Sequence, residues 1–254
     1  FAYFIGFIVT VAAWEWANLS GYESPVVRIG YAAVMAASVG AIGYFMDSNP
    51  GLDRIVLAIG AVWWLFACFL VIQYPKQVSL WQAKPVRAVL GFLVLLPMWV
   101  GFMTLKSQPH SALIIIYVMF LIWGADTGAY FAGKTWGNKK LAPNVSPGKS
   151  WAGFWGGLAT TGLIAVIFTL CVNQWLRPMM MDDFILLAIM TFITAIISVM
   201  GDLVESMMKR NRGIKDSSQL LPGHGGVLDR IDSMASAVPV FAFFMLLFGW
   251  QLAA

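Results

Sequence analysis

The chain has 254 residues, of which 60% are hydrophobic and 11% charged, with 16 Lys and Arg against 12 Asp and Glu. A soluble domain is about 25% charged and about 45–50% apolar, and a chain this short cannot hide so much apolar surface in a core surrounded by water. The composition excludes a soluble globular enzyme, a disordered chain and a nucleic-acid binder, and points to a polytopic membrane protein. The net charge of +4 then reads as basic cytoplasmic loops, or as affinity for anionic lipid and phosphate.

A helix needs about 20 apolar residues to cross a bilayer. Eight runs approach or exceed that length: 1–19, 26–46, 53–73, 87–105, 110–132, 151–174, 184–204 and 234–253. A spanning segment must satisfy its own backbone hydrogen bonds, so the expected fold is an all-α, polytopic bundle of about eight transmembrane helices. The runs are continuous, whereas a transmembrane barrel would show short alternating strands. The sequence opens on Phe1, already inside an apolar run, with no Met and no basic stretch before it. That start reads as a trimmed N-terminus and not as a signal peptide, with a further helix expected upstream. Cys68 and Cys171 lie within apolar runs and read as apolar fillers. Trp14, Trp16, Trp81, Trp136, Trp151, Trp175 and Trp250 sit near span ends and are expected to form an interfacial belt.

Charge is uneven between the spans. Loops after spans one, three, five and seven carry Arg28; Lys76, Lys84 and Arg87; Lys134, Lys139, Lys140 and Lys149; and Lys209, Arg210, Arg212, Lys215 and Arg230. Against these thirteen, the loops after spans two, four and six carry only Arg54, Lys106 and Arg177. The positive-inside rule places the first set in the cytoplasm and the visible C-terminus on the outer side. Residues 1–110 form an N-terminal set of four spans. Residues 111–254 form the expected catalytic region, with cytoplasmic loops 133–150 and 205–232 holding nearly half of all charges.

Asp126, in WGADTGAY, follows the apolar run 113–123. Either the span ends early at Gly124 and Asp126 is an interfacial cap, or the carboxylate faces a polar cavity; a charge near hydrocarbon otherwise costs several kcal/mol. Gly124, Gly128 and Gly133 beside it would allow close backbone approach. The loop 133–150 offers Lys134, Lys139, Lys140 and Lys149 with no acid among them. Alone, that is an ordinary positive-inside signal. With Ser146, Pro147, Gly148, Lys149 and Ser150 before span six, it also suits a phosphate at a helix start. The spacing of a Walker A loop fails, because position 143 is Pro.

The segment 201–233 carries the most information. On a helix, Asp202, Glu205, Ser206 and Lys209 share one face, and Asp229 and Asp232 repeat the three-residue spacing. Two pairs of carboxylates on separate helix ends could hold hard cations such as Mg²⁺. Lys209, Arg210, Lys215 and Arg230 would neutralise phosphates, and Asp229 and Arg230 could equally form a plain surface ion pair. His224, Gly225 and Gly226 follow Pro222-Gly223 in a turn that could present N–H groups to an oxyanion, or His224 could simply hydrogen-bond the backbone.

From Ser206 to Asp232 the sequence strongly resembles the signature of the CDP-diacylglycerol synthases, also called phosphatidate cytidylyltransferases. Ser206, Lys209, Arg210, Lys215, Asp216, Ser218, Pro222, His224, Gly225, Gly226, Asp229, Arg230 and Asp232 all fit it. WGADTGAY at 123–130, SPGKS at 146–150, GDLVES at 201–206 and, for the bacterial branch, AAWEW at 12–16 look like further landmarks. The resemblance implies a Mg²⁺-dependent reaction of CTP with phosphatidic acid to give CDP-diacylglycerol and pyrophosphate, in a homodimer in the bacterial inner membrane, with a second cation left open. It implies Asp202 and Asp229 as first metal ligands, with Glu205, Asp232 and Asp126 in support. Lys134, Ser146, Lys149, Ser150, Ser206, Lys209, Arg210, Lys215, Asp216 and His224 would meet substrate phosphates, Arg230 would orient Asp229 or the triphosphate, and Gly225 and Gly226 would let the nucleotide approach. Two rivals are a CTP-dependent lipid kinase acting on a polyprenol-type alcohol and, less favoured, a transporter. The charges gather at one face, with no inverted repeat such as a transporter would show.

Overall fold

The computed structural model describes residues 1–252 and turns each of the eight apolar runs into a helix. These are α1 (Ala2–Leu19), α2 (Pro25–Ser48), α3 (Leu52–Gln73), α4 (Lys84–Lys106), α5 (Ser111–Trp136), α6 (Trp151–Trp175), α7 (Met181–Arg212) and α8 (Leu228–Phe248). All eight are long and apolar enough to cross a membrane. A short antiparallel hairpin, β1 (Lys140–Ala142) and β2 (Ser146–Ser150), links α5 to α6 and pairs Lys140 with Ser150 and Ala142 with Ser146. SPGKS is therefore a strand leading into a helix, and the expected loop 133–150 is largely ordered backbone.

Helix ends depart from hydropathy where the sequence turns polar. α5 continues to Trp136, so Asp126 lies inside a helix and the early end at Gly124 does not occur. α7 runs on to Arg212, and α8 begins at Leu228. Apolarity marks where hydrocarbon lies, whereas the backbone ladder continues for as long as its ends are capped. Lys209, Arg210 and Arg212 complement the dipole at the end of α7, and Gly213, at φ 76°, closes it in the left-handed conformation.

α4 and α8 are the most enclosed helices, and α2 lies at the periphery. Phe4, Phe7, Ile59, Leu65, Ile116 and Leu163 project outward as a lipid-facing surface should. α5 and α6 pack with small residues face to face: a Cβ at Gly128 would meet Thr160 and the Gly156 carbonyl, and one at Gly156 would meet Ala132 and the Gly128 carbonyl. Close backbone approach of this kind is how membrane helices gain van der Waals contact without a hydrophobic drive between them. The glycines around Asp126 thus serve helix packing. The expected tryptophan belt requires exposed rings, as those of Trp136, Trp151 and Trp175 are. It fails for Trp16, Trp81 and Trp250, which are buried. Trp16 Nε1 donates to the Arg87 carbonyl at 2.7 Å, giving its polar tip a partner inside the bundle.

Candidate active site

The polar residues converge where α7 ends, α8 begins and the hairpin folds back. The extended α7 keeps Asp202, Glu205, Ser206 and Lys209 on one face. Ser206 Oγ donates to Asp202 Oδ1 at 3.1 Å, and Lys149 Nζ, from β2, lies 2.8 Å from Asp202 Oδ2. Arg210 Nε donates to the Val145 carbonyl at 3.2 Å, a second tie between α7 and the hairpin. Ser150 caps α6, its Oγ accepting from Gly153 N at 3.1 Å, so this hydroxyl is already engaged.

A cavity of about 360 Å³ opens between α5, the hairpin, α6 and α7, lined by Asp126, Tyr130, Lys134, Lys149, Phe154 and Asp202 among others. Asp126 is exposed to it, and Lys134 Nζ stands 5.8 Å from the Tyr130 ring centroid. It joins two lysines and two acids to apolar walls, as a site for an anionic lipid headgroup would. A larger cavity of about 760 Å³ lies at the opposite helix ends, between α1, α2 and α4; its lining carries Asp47 and Asp53 but no Lys or Arg, so it does not suit a phosphate.

Beside the smaller cavity lies a second cluster. Lys209 Nζ is 2.6 Å from Asp229 Oδ1 and 3.3 Å from Glu205 Oε1. Asp229 Oδ2 accepts from Gly226 N at 2.7 Å, Ser217 Oγ at 2.9 Å and Ser217 N at 3.0 Å. Both oxygens of Asp229 are therefore already met by donors. Glu205 is the opposite case: it is 2% exposed, and neither carboxylate oxygen has a hydrogen-bond partner. Its approach to Lys209 is a contact of charges without hydrogen-bond geometry. Asp232 is half-buried and accepts from Ser233 N at 2.6 Å. Among the described residues no three His, Cys, Asp or Glu side chains converge closely enough to hold a metal ion by themselves.

The remaining expected residues fall into place unevenly. Ser146 lies on β2. Lys215 and Asp216 are exposed on the 213–227 loop. Arg230 does not orient Asp229: its Nε and Nη2 donate to the His224 carbonyl at 3.0 and 2.5 Å, and Lys209 takes the place beside Asp229. His224 Nδ1 lies 3.0 Å from the Pro222 carbonyl, the plain turn contact. Gly226 does not present open space to a nucleotide, because a Cβ there would fall on Ser217 Oγ and the Glu15 carboxylate.

Glu15 itself escaped the reading of the sequence. It is wholly buried in α1 and accepts from Ser218 Oγ at 2.5 Å, Leu228 N at 2.6 Å, Val227 N at 3.0 Å and Ser217 Oγ at 3.2 Å. The signal was present as a lone acid inside an apolar span, which is by itself grounds to expect a functional role. Arg87, read as a basic loop residue, is buried in the first turn of α4, where Nη1 donates to the Leu19 carbonyl and to Asn211 Oδ1, each at 3.2 Å.

The sequence profile of the cytidylyltransferase family matches residues 1–248. The phosphatidate cytidylyltransferase of Pseudomonas aeruginosa is 48% identical over 251 residues, spanning 98% of this chain and 89% of that protein. That of Haemophilus influenzae is 40% identical over 259 residues, spanning 96% and 89%. That of Bacillus subtilis is 39% identical over 211 residues, spanning 81% and 73%.

Proposed function

Because the chain belongs to the cytidylyltransferase family and is a nucleotidyltransferase with eight membrane-spanning helices, we propose that it is a phosphatidate cytidylyltransferase, joining CTP to phosphatidic acid and releasing pyrophosphate. The observation that carries this reading is the apolar-walled cavity whose polar end is the Lys149–Asp202 pair, beside the Lys209 cluster. A lipid headgroup phosphate entering it meets lysines, while its acyl chains stay against apolar walls.

In the reaction, a phosphate oxygen of phosphatidic acid attacks the α-phosphorus of CTP. A new P–O bond forms, the bond to the β-phosphate bridging oxygen breaks, and pyrophosphate departs with that electron pair. A phosphate monoester is already an adequate nucleophile, so positioning and charge neutralisation do most of the catalysis. Lys149 and Lys134 bind phosphate at the cavity. Lys149, an ammonium with three donors, can meet that phosphate while it stays beside Asp202. Lys209, Arg210 and Lys215 neutralise the nucleotide phosphates. Arg230 holds the His224 turn in shape, and Asp126 lines the far wall.

The acids suit Mg²⁺, which commonly takes one or two carboxylates and completes its shell with substrate phosphates and water. Glu205, with its unmet oxygens, is the best-suited ligand, together with Asp202 and Asp232; Asp229 joins the set only by giving up a donor. When bound, Mg²⁺ supplies positive charge against the triphosphate. The catalytic region expected over 111–254 supplies every side chain named here, and Glu15 of the first four spans reaches its loop. The excess of basic residues at this end supports a cytoplasmic site, hence a bacterial inner-membrane enzyme with its C-terminus outside. The homodimer is carried over from the resemblance.

The test is one assay on purified protein with phosphatidic acid, CTP and Mg²⁺. CDP-diacylglycerol and pyrophosphate should appear in equal amounts, and both should stop on chelation and return with Mg²⁺. Release of CDP with a newly phosphorylated lipid alcohol would instead identify a kinase.

A further inference from the structure

Glu15 is a buried acid that the transfer step does not use. Among the described residues no Lys, Arg or His forms an ion pair with it; all four of its partners are neutral donors. Those donors come from both ends of one segment. Ser217 and Ser218 stand near the start of the 213–227 loop, and Val227 N and Leu228 N stand where it enters α8. A single carboxylate on α1 thus closes the loop that leads to Asp229. It also faces the first N–H groups of α8, where negative charge is favoured.

The link to Asp229 is direct. Ser217 Oγ lies 3.2 Å from Glu15 Oε2 and 2.9 Å from Asp229 Oδ2, one hydroxyl proton between two carboxylate acceptors. Ser217 N and Gly226 N hold the same Asp229 oxygen. Gly226 can sit there only without a side chain, because Glu15 and Ser217 fill the space its Cβ would need.

We propose that Glu15 is a positioning residue for the transfer reaction, whose carboxylate closes the 213–227 loop and, through Ser217 and Gly226, sets Asp229 against Lys209. The proposal deepens the cytidylyltransferase reading and rests on it for the reaction it serves. Glutamine is a sharp probe of it. Each Glu15 oxygen meets one backbone N–H and one hydroxyl. The hydroxyls can turn to accept, but the backbone groups cannot, so the amide NH₂ of Glu15→Gln must confront either Val227 N or Leu228 N.

The experiment uses the full chain as wild type, Glu15→Gln, Ser217→Ala and the double variant. It measures kcat and KM for CTP and for phosphatidic acid, and hydrogen exchange of the backbone amides. Glu15→Gln should lower kcat by about 10–100-fold, the usual effect of losing a partner that orients an active-site group, with KM for CTP little changed. Ser217→Ala should lower kcat less. The double variant should be no worse than Glu15→Gln, because both act through Asp229. Exchange should quicken at Ser217 and Gly226–Leu228 while the hairpin stays protected. A Glu15→Gln enzyme with wild-type kcat, effects that multiply in the double variant, or exchange that quickens across all of α1 would each overturn the proposal. Should Glu15→Gln not fold, Ser217→Ala decides alone: wild-type turnover and wild-type exchange at Gly226 would refute the link. A wild type that makes no CDP-lipid would refute the assigned reaction, leaving the exchange pattern to judge Glu15.

Discussion

Replacing Lys209 by Met removes the one ammonium between Glu205 and Asp229. Lys209 Nζ lies 2.6 Å from one carboxylate and 3.3 Å from the other, and the three side chains are 15% (Lys209), 10% (Asp229) and 3% (Glu205) exposed. Removing one partner of a buried ion pair costs about 3–5 kcal/mol, because the charge left behind is not returned to water. The two acids are not equally affected. Asp229 keeps three donors on Oδ2, whereas Glu205 keeps none. The loss therefore falls mainly on Glu205, and Lys209→Met should sit near the lower end of that range, at about 3 kcal/mol. Adding Glu205→Met removes the unmet carboxylate altogether and should restore about 1–3 kcal/mol, the cost of a buried polar group left unpaired. Lys209→Arg keeps the charge and should hold most of the stability. Its planar fork is larger than the ammonium it replaces and its donors point in fixed directions, so turnover should still fall. Unfolding in mixed detergent and SDS micelles, followed by tryptophan fluorescence, gives the stabilities, and CDP-lipid formation gives the activities. If Lys209→Met unfolds within about 0.5 kcal/mol of wild type, as a surface change would, the cluster is not the buried charge centre described here. If Glu205→Met recovers nothing in the double variant, Glu205 is not the group Lys209 compensates.

Gly128→Val should force α5 away from Thr160 and the Gly156 carbonyl and lower stability by about 1–3 kcal/mol, seen as an earlier loss of the folded peak in heated size-exclusion runs. Arg177 makes a two-pronged contact with Asp183, both bonds 2.8 Å, and its Nε and Nη2 donate to the Leu252 and Gln251 carbonyls. Arg177→Ala should cost about 1.5–3 kcal/mol in unfolding while leaving turnover per folded molecule unchanged, since it lies at the helix ends opposite the site. In a background of Cys68→Ala and Cys171→Ala, a cysteine at 106 should react with an impermeant maleimide in intact cells. One at 139 should react only after permeabilisation, and the reverse pattern would invert the topology.

Much of this molecule follows from local sequence. Hydropathy is additive over about 20 neighbouring residues, so all eight spans could be found, five of them to within three positions at each end, and the composition alone identified the solvent. Helical spacing put Asp202, Glu205, Ser206 and Lys209 on one face, which the structure bears out. The ends of α5, α7 and α8 were harder, because polar residues look alike in a loop and in the last turns of a helix that has left the hydrocarbon. The tryptophans near span ends were equally ambiguous: Trp16 and Trp136 both lie near the end of an apolar run, yet one is buried and the other exposed.

Which charge meets which was beyond the reach of spacing. Arg230 was the expected partner of Asp229, with Lys209 reserved for phosphate, and only the crossing of α7 and α8 puts Lys209 there instead. Gly226 looked like room for a nucleotide until Glu15 was found in it, brought there from more than 200 positions earlier in the chain. Composition and periodicity thus determined the solvent, the spans and the polar faces. Tertiary structure decided the pairing of Lys149 with Asp202, of Lys209 with Asp229, and of Glu15 with the loop it closes. The reason is range: a hydrogen bond acts within about 3 Å, and nothing in the order of residues says which distant segments will pack that closely.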